Sequence, residues 1–368
     1  MSKIEIIALI TFLVTFLSQL YFYCFLFIKV IKIKDLNPSR TKKSSQPVSV
    51  IIAARNESEN LKKNLPLILE QDYLEYEVII ANDYSDDNTI EVVKNFQKEH
   101  RNLKLINNCE KQGKKSALTS AILSSKYEKL LFIDADCYPA SNKWIELMSQ
   151  NFSKEKQIVL GLGMYKKDRN ISNYFIRYDT MIIALQYISA ALTGNTYMGV
   201  GRNLAYTKEL WKRNDGFNTH KNIISGDDDL FISQASTKNN TAICTHPESV
   251  TISDSAKSFY EYIKQKARHL NTTHKYNFAG LFHSGGELFF RILFFLSILI
   301  FINSDIFFAL LSILIIRLIL ITIIIRLFSI KINNEIPIPY IIIFDIFAMV
   351  FYVFLLFYRL LIHNKKQW

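Results

Sequence analysis

The chain has 368 residues, 49% of them hydrophobic, with 44 Lys and Arg against 33 Asp and Glu, a formal net charge of +11. That length holds one large or two ordinary domains. The charge comes with no nucleic-acid recognition module or basic-aromatic sheet pattern, which argues against a nucleic-acid partner. Cys24, Cys109, Cys137 and Cys244 have no paired spacing, which argues against a zinc site or disulfide framework and fits a reducing cytosol.

Apolar residues concentrate at both ends, while residues 32–285 have the mixed composition of a soluble domain. Residues 4–28 form a run of Ile, Leu, Phe and Tyr, broken only by Glu5, Gln19 and small polar residues. About 20 apolar residues span a bilayer, and a signal peptide has a shorter core and a small-residue cleavage site. A retained membrane anchor is therefore expected over 1–31. The excess charge falls partly just after it, at Lys29, Lys32, Lys34, Arg40, Lys42 and Lys43. Basic clusters beside a span mark the cytoplasmic side, so the basic linker 32–46 leads into a cytoplasmic domain.

Residues 48–54 (Val-Ser-Val-Ile-Ile-Ala-Ala) read as a buried parallel strand, followed by Arg55-Asn56-Glu57 and a helix to about residue 71. A second strand over 77–81 ends in Asn82-Asp83-Tyr84-Ser85-Asp86-Asp87, with a helix to about residue 100. A third strand over 103–106 and a third helix over 114–125 follow. The fourth strand, 130–133, stops at Asp134-Ala135-Asp136. Strands alternating with helices at this spacing predict a parallel sheet with right-handed crossovers. Ligands of such sheets bind outside the carboxyl ends of the strands.

Three strand ends carry chemistry there. Asp83 can accept a base N–H or a ribose hydroxyl. Gly113-Lys114-Lys115 stands just ahead of a helix, where glycine permits close backbone approach, the helix N-terminus favours anions and lysine supplies a point charge for a diphosphate. Asp134 and Asp136, two residues apart in an extended segment, point to the same side and suit Mg²⁺ or Mn²⁺, hard cations that share oxygen ligands with phosphates. Singly, each is an ordinary turn or helix-start residue; jointly they describe a nucleotide-diphosphate pocket.

The series from Val48 to Glu57, Asn82-Asp83-Tyr84-Ser85-Asp86-Asp87, Gly113-Lys114-x-x-Ala117-Leu118 and Asp134-Ala135-Asp136 resembles the successive motifs of family 2 glycosyltransferases over roughly residues 47–270. The resemblance implies a GT-A (Rossmann-like) α/β fold, a UDP- or GDP-sugar donor and inversion at the anomeric carbon. It implies nucleotide-sugar contacts from Ala53, Arg55, Glu57, Asp83, Lys114 and Asp134, and a metal on Asp134 and Asp136. Asn82 stands where the family often has a first aspartate, so the nucleobase contact rests on Asp83.

Inversion needs a general base opposite the departing diphosphate. Ser225-Gly226-Asp227-Asp228-Asp229-Leu230 resembles the family's Glu-Asp-x-Asp-Leu pattern, with Gly226 in the glutamate position. Asp227 is then the aligned base and Asp228 the alternative; a plain acidic helix start would instead be capped by Ser225. Gly199-Val200-Gly201-Arg202-Asn203 resembles the family's acceptor-side segment, which places Gly201, Arg202 and Asn203 there. Gln265-Lys266-Ala267-Arg268-His269 resembles the Gln-x-x-Arg-Trp motif of membrane-integrated synthases. Gln265 and Arg268 share a helix face and so can both reach a pyrophosphate. His269 replaces the acceptor-stacking tryptophan, which weakens a processive reading.

Residues 259–278 mix aromatic and basic side chains as an interfacial helix does. Spans are expected near 288–303, 306–327 and 340–361, with Arg317 and Asp345 inside them and facing a protein interior or a functional cavity. Three such spans put the basic tail His363-Asn364-Lys365-Lys366 outside, against the positive-inside pattern, so one segment could be re-entrant. The expected organisation is an anchor over 1–31, a linker over 32–46, a catalytic domain over 47–255, an interfacial segment over 256–285 and a membrane region over 286–368. The expected function is multi-pass, cytoplasmic-face sugar transfer to a lipid or glycan acceptor. The alternatives are a processive polysaccharide synthase and a non-catalytic nucleotide-binding scaffold.

Overall fold

The computed structural model describes residues 2–36, 46–107, 113–223, 225–256, 258–273 and 275–362. Arg40, Lys42, Lys43, Cys109 and the tail His363-Asn364-Lys365-Lys366 lie outside the described residues. The chain divides into two compact units, one built from residues 34–166 and 193–255, the other from 1–33, 167–192 and 256–367.

The first unit is an α/β domain. Among the described residues ten short strands run through it: β1 (Val48–Ala54), β2 (Tyr76–Asn82), β3 (Leu103–Ile106), β4 (Lys129–Phe132), β5 (Cys137–Pro139), β6 (Ile158–Leu160), β7 (Gly163–Tyr165), β8 (Leu204–Thr207), β9 (Thr241–Ile243) and β10 (Thr251–Ser253). Seven form one sheet in the order β3-β2-β1-β4-β8-β6-β9, and β5-β10-β7 form a second. β1 is buried along nearly its whole length, as a strand covered on both faces must be, which explains its unbroken apolar run. The helix Ser58–Leu69 buries Leu61, Leu65, Ile68 and Leu69, one stripe at helical spacing, into a core that includes Val50, Ile52, Trp144 and Met148.

β1 to β4 are parallel as expected, with Val48 opposite Tyr76 on one side and Lys129 on the other. The sheet as a whole is not. β8 enters antiparallel between β4 and β6, with Phe132 opposite Leu204. A parallel neighbour needs a crossover connection; β8 instead follows the helix Ile171–Leu192, which belongs largely to the other unit, so nothing imposes the parallel direction. The antiparallel pairing stacks Phe132 on Tyr206 at 4.4 Å.

The second unit is helical. Among the described residues, four of its helical segments are long and apolar enough to cross a membrane: Lys3–Ile31, Phe278–Leu299, Phe307–Lys331 and Ile338–Arg359. The first passes through a π-helical stretch, Tyr21–Phe27. The second begins ten residues before the expected 288, because Asn277 caps it by accepting from Gly280 N at 2.8 Å; the interfacial helix is correspondingly shorter, Phe259–Thr273. Arg317 and Asp345 are fully buried and ion-paired. Asp345 also pairs with Arg291 at 2.8 Å, Arg291 with Glu287 at 3.1 Å, and Arg317 donates to Gln19 at 2.7 Å and Tyr23 at 2.6 Å.

Candidate active site

β4 ends at Phe132, and Ile133 N still donates to Ile51 O of β1 at 3.3 Å. The chain leaves the sheet there, which carries Asp134 and Asp136 to the carboxyl edge. One carboxylate oxygen from each and Cys137 Sγ lie within 4.8 Å of one another. Two carboxylates at that spacing fit Mg²⁺ or Mn²⁺. Cys137 is buried, and its thiol donates to Asp136 Oδ1 at 3.2 Å. Asp136 has an exposed edge, yet crowding by protein atoms and then the Asp134 charge hold its carboxyl above the ordinary value.

Gly113, at φ +133°, opens the helix Lys114–Ser124, a backbone angle that favours glycine. Its N–H donates to Asp83 Oδ1 at 2.6 Å. Asp83 is fully buried at the end of β2, and its Oδ2 has no hydrogen-bond partner among the described residues. Lys114 Nζ lies 2.9 Å from Asp134 Oδ1 and 3.0 Å from Asp227 Oδ2. Burial alone would lower the lysine, but Asp134, Asp227 and Asp228 together hold it well above its ordinary value. Lys115 turns away and donates to the main-chain oxygens of His220, Ile223 and Ser225.

Gly226, at φ +98°, precedes the acidic triplet. Asp228, rather than Ser225, caps the helix Asp229–Ala235: its Oδ1 accepts from Asp229 N at 2.8 Å and its Oδ2 from Gly201 N at 2.7 Å. A Cβ on Gly201 would stand 3.3 Å from that Oδ2. Burial, then Asp227 and Asp229, push Asp228 up to about 7. One small cleft is lined by Ile51, Ala53, Lys114, Asp134, Gly201, Asp227 and Asp228, among others.

The other expected residues are placed as follows. Arg55 is half-buried, two residues after the cleft-lining Ala53. Glu57 accepts from Asn60 at 2.6 Å; burial, then Asp136 and Asp134, raise its carboxyl. Arg202 lies over the Tyr165 ring at 4.6 Å and donates to Ser253 at 3.1 Å. Asn203 is fully buried, accepting from Trp144 Nε1 at 3.0 Å and donating to Leu162 O and Ser249 O at 2.8 Å. Gln265, Arg268 and His269 belong to the helical unit, on Phe259–Thr273, with Arg268 and His269 exposed and Gln265 half-buried. Sequence reasoning missed the Lys115 contacts, whose acceptors are backbone oxygens 105 to 110 residues away, and the Cys137 thiol beside Asp136, which adjacency to Asp-x-Asp could have flagged.

A mixed α/β sheet that presents acids and a lysine at its strand ends defines the class: this is a GT-A-like domain. Residues 49–213 match the family "Glycosyl transferase family 2", so that stretch of the α/β unit is similar to the domain of that family. A poly-beta-1,6-N-acetyl-D-glucosamine synthase of Staphylococcus epidermidis is 37% identical over 110 residues, 29% of this chain and 26% of the synthase. A GalNAc(5)-diNAcBac-PP-undecaprenol beta-1,3-glucosyltransferase of Campylobacter jejuni is 27% identical over 168 residues, 44% of this chain and 54% of that enzyme. The chain thus spans about a quarter of the one and about half of the other. Among solved structures, a mannosyltransferase of Pyrobaculum calidifontis in complex with GDP-Man and Mn²⁺ has a TM-score of 0.60 at 17% identity, over 94% of this chain and 99% of its own. At that identity the likeness establishes the fold.

Proposed function

We propose that the protein is an inverting glycosyltransferase that moves a sugar from a UDP- or GDP-sugar to a lipid or lipid-linked glycan acceptor, with its α/β unit on the cytoplasmic face. The observation that carries this is Lys114, whose ammonium touches Asp134 and Asp227 at once. One cation thereby joins the acid of the donor-side motif to the acid aligned as base. The buried Asp83 Oδ2, without a hydrogen-bond partner among the described residues, supports the nucleotide end, because such an acceptor calls for an N–H or hydroxyl.

Each residue's part follows from its chemistry. Asp83 accepts from the nucleoside, with Ala53, Arg55 and Glu57 lining that end. Lys114 shifts its donors from the two aspartates to the diphosphate. Asp134 and Asp136 hold Mg²⁺ or Mn²⁺, which when bound offsets the charge that gathers on the leaving nucleoside diphosphate. Asp227 takes the acceptor hydroxyl proton while the new glycosidic bond forms and the anomeric carbon–phosphate oxygen bond breaks on the opposite face. Gly201 and Arg202 face the acceptor. The GDP-Man complex of the fold neighbour supports a nucleotide-sugar donor with Mn²⁺, and the name of the Campylobacter relative supports a lipid-linked acceptor. The polysaccharide synthase among the relatives favours polymerisation as the second reading.

The test is turnover of a UDP- and GDP-sugar panel by detergent-solubilised protein with Mg²⁺ or Mn²⁺ and native lipid extract, beside Asp136→Ala and Asp227→Asn. Metal-dependent transfer to extractable lipid, lost in both variants, is the expected result. Long polymer would establish the second reading, and nucleotide binding without turnover in any mixture would turn the assignment toward a scaffold.

A further inference from the structure

The sequence Gly113-Lys114-Lys115 presents two adjacent lysines at a helix start, and only Lys114 meets carboxylates. Successive helical residues are set about 100° apart, so the second side chain leaves the cleft. Lys115 Nζ reaches His220 O at 2.7 Å, Ile223 O at 2.7 Å and Ser225 O at 2.8 Å. An ammonium has three donors and no acceptor, and here all three are used on main-chain oxygens. The segment that supplies them has little structure of its own: a short 3₁₀ turn, Asn218–His220, and then Gly226 in the left-handed region. Two residues after the last of those oxygens comes Asp227, paired to Lys114.

We infer that Lys115 is a positioning residue for sugar transfer: it ties down the loop that delivers Asp227 to the site, through main-chain oxygens alone. This rests on the proposed function for its catalytic consequence, but not for the tether. Lys114 and Lys115 therefore divide the work of one helix start. Lys114 meets the donor's diphosphate and fixes Asp227 from its carboxylate end; Lys115 fixes the same residue from its backbone end. His220 lines the tether as a neutral ring, because burial and then the Lys115 charge lower it to about 4. Lys115 touches neither Asp83 nor the Asp134–Asp136 pair among the described contacts, so its loss acts on the acceptor step and spares nucleotide binding.

The experiment uses the full-length protein in detergent and three variants, Lys115→Met, Lys115→Gln and Lys115→Ala. Amide hydrogen exchange over residues 218–228 reads the tether, affinity for UDP and GDP with Mn²⁺ reads the donor site, and kcat and KM for transfer read the outcome. In Lys115→Met, exchange across the loop rises at least about 10-fold, kcat falls roughly 10- to 100-fold, as for a reacting group displaced by about 1 Å, and nucleotide affinity stays within about 2-fold. Lys115→Gln, which keeps two donors, falls between the two and guards against a folding defect in the methionine variant. Added ammonium or ethylammonium restores part of the rate in Lys115→Ala, which general loss of stability would not allow. Unchanged loop exchange overturns the tether outright. A fall in nucleotide affinity parallel to the fall in rate overturns the positioning role and makes Lys115 a diphosphate ligand. If the wild type neither binds nucleotide nor transfers sugar, the glycosyltransferase reading fails while loop exchange still decides the tether.

Discussion

Asp227 and Asp228 are adjacent acids in different circumstances, and the difference separates their roles. Asp228 spends both oxygens on backbone N–H groups, those of Gly201 and Asp229, whereas Asp227 offers Oδ2 to a lysine that a diphosphate can draw away. Asp227→Asn is expected to lower kcat by roughly 100-fold or more, the range for losing a general base, with nucleotide affinity retained; equal activity of the variant would transfer the role to Asp228. Asp228 makes a pH-dependent contribution instead. Its native value of about 7 lies above the ordinary 3.8, so the folded state holds a proton the unfolded state releases. That contribution is fully present below about 4 and lost as pH rises through about 7. Asp228→Asn forfeits one backbone contact, worth about 1–3 kcal/mol, so its melting temperature is below the wild type at pH 5. Across pH 5 to 8 the gap narrows, because only the wild type carries the burden of ionising; a gap that widened would refute the assignment. Asn203 has its three partners in the core, so Asn203→Leu should lose about 2–4 kcal/mol of stability, read by thermal unfolding, and act on acceptor KM only through that loss.

At the scale of elements, β1 to β4 were legible because each is an apolar run closed by polar turn residues, and parallel strands buried on both faces leave that signature. β8 was not legible, since Leu-Ala-Tyr-Thr carries no mark of direction and its antiparallel pairing depends on where the preceding chain comes from. The helix Ile171–Leu192 escaped notice for a related reason. It buries Arg177, Asp179 and Gln186 alongside its apolar residues, so it reads neither as a span nor as an amphipathic surface helix. The same division holds in the site. Acids and Lys114 announce themselves through their own chemistry, while Lys115 and Asn203 act on backbone oxygens that no side-chain pattern encodes. Packing between elements is equally silent: β7 carries Gly163 because a Cβ there would lie 2.7 Å from Arg202 Nε and 2.8 Å from its Cγ. Gly163→Ala is expected to push Arg202 off the Tyr165 ring and out of reach of Ser253, at about 1–3 kcal/mol for overpacking. A thermal shift in Gly163→Ala that vanishes in an Arg202→Ala background would identify that contact as the cause.

The whole molecule takes its helical unit from three separated stretches of chain, 1–33, 167–192 and 256–367, so that unit closes only when distant segments find one another. Apolar helices give little direction to that search, because lipid tails are as apolar as they are. Charge supplies it. Glu287 and Arg291 come from one helix, Arg317 from the next and Asp345 from the last, and Gln19 and Tyr23 of the first helical segment bond to Arg317, all of them buried. Two cations meet two anions, so the cluster is neutral, and removing one member leaves a partner uncompensated. Arg317→Met should therefore lower stability by about 3–5 kcal/mol, the usual loss when one partner of a buried pair is removed. Replacing both partners, Arg317→Met with Asp345→Leu, removes the stranded charge and leaves Arg291 paired with Glu287 alone, so the double variant should recover part of the loss. A third change, Arg291→Met, would then unpair Glu287 in turn and lower stability again. Thermal unfolding in detergent across this series, treated as coupled rather than additive sites, would show the sawtooth of an odd and even charge count. A smooth, additive decline would mean that the four charges hold the helices by packing volume alone.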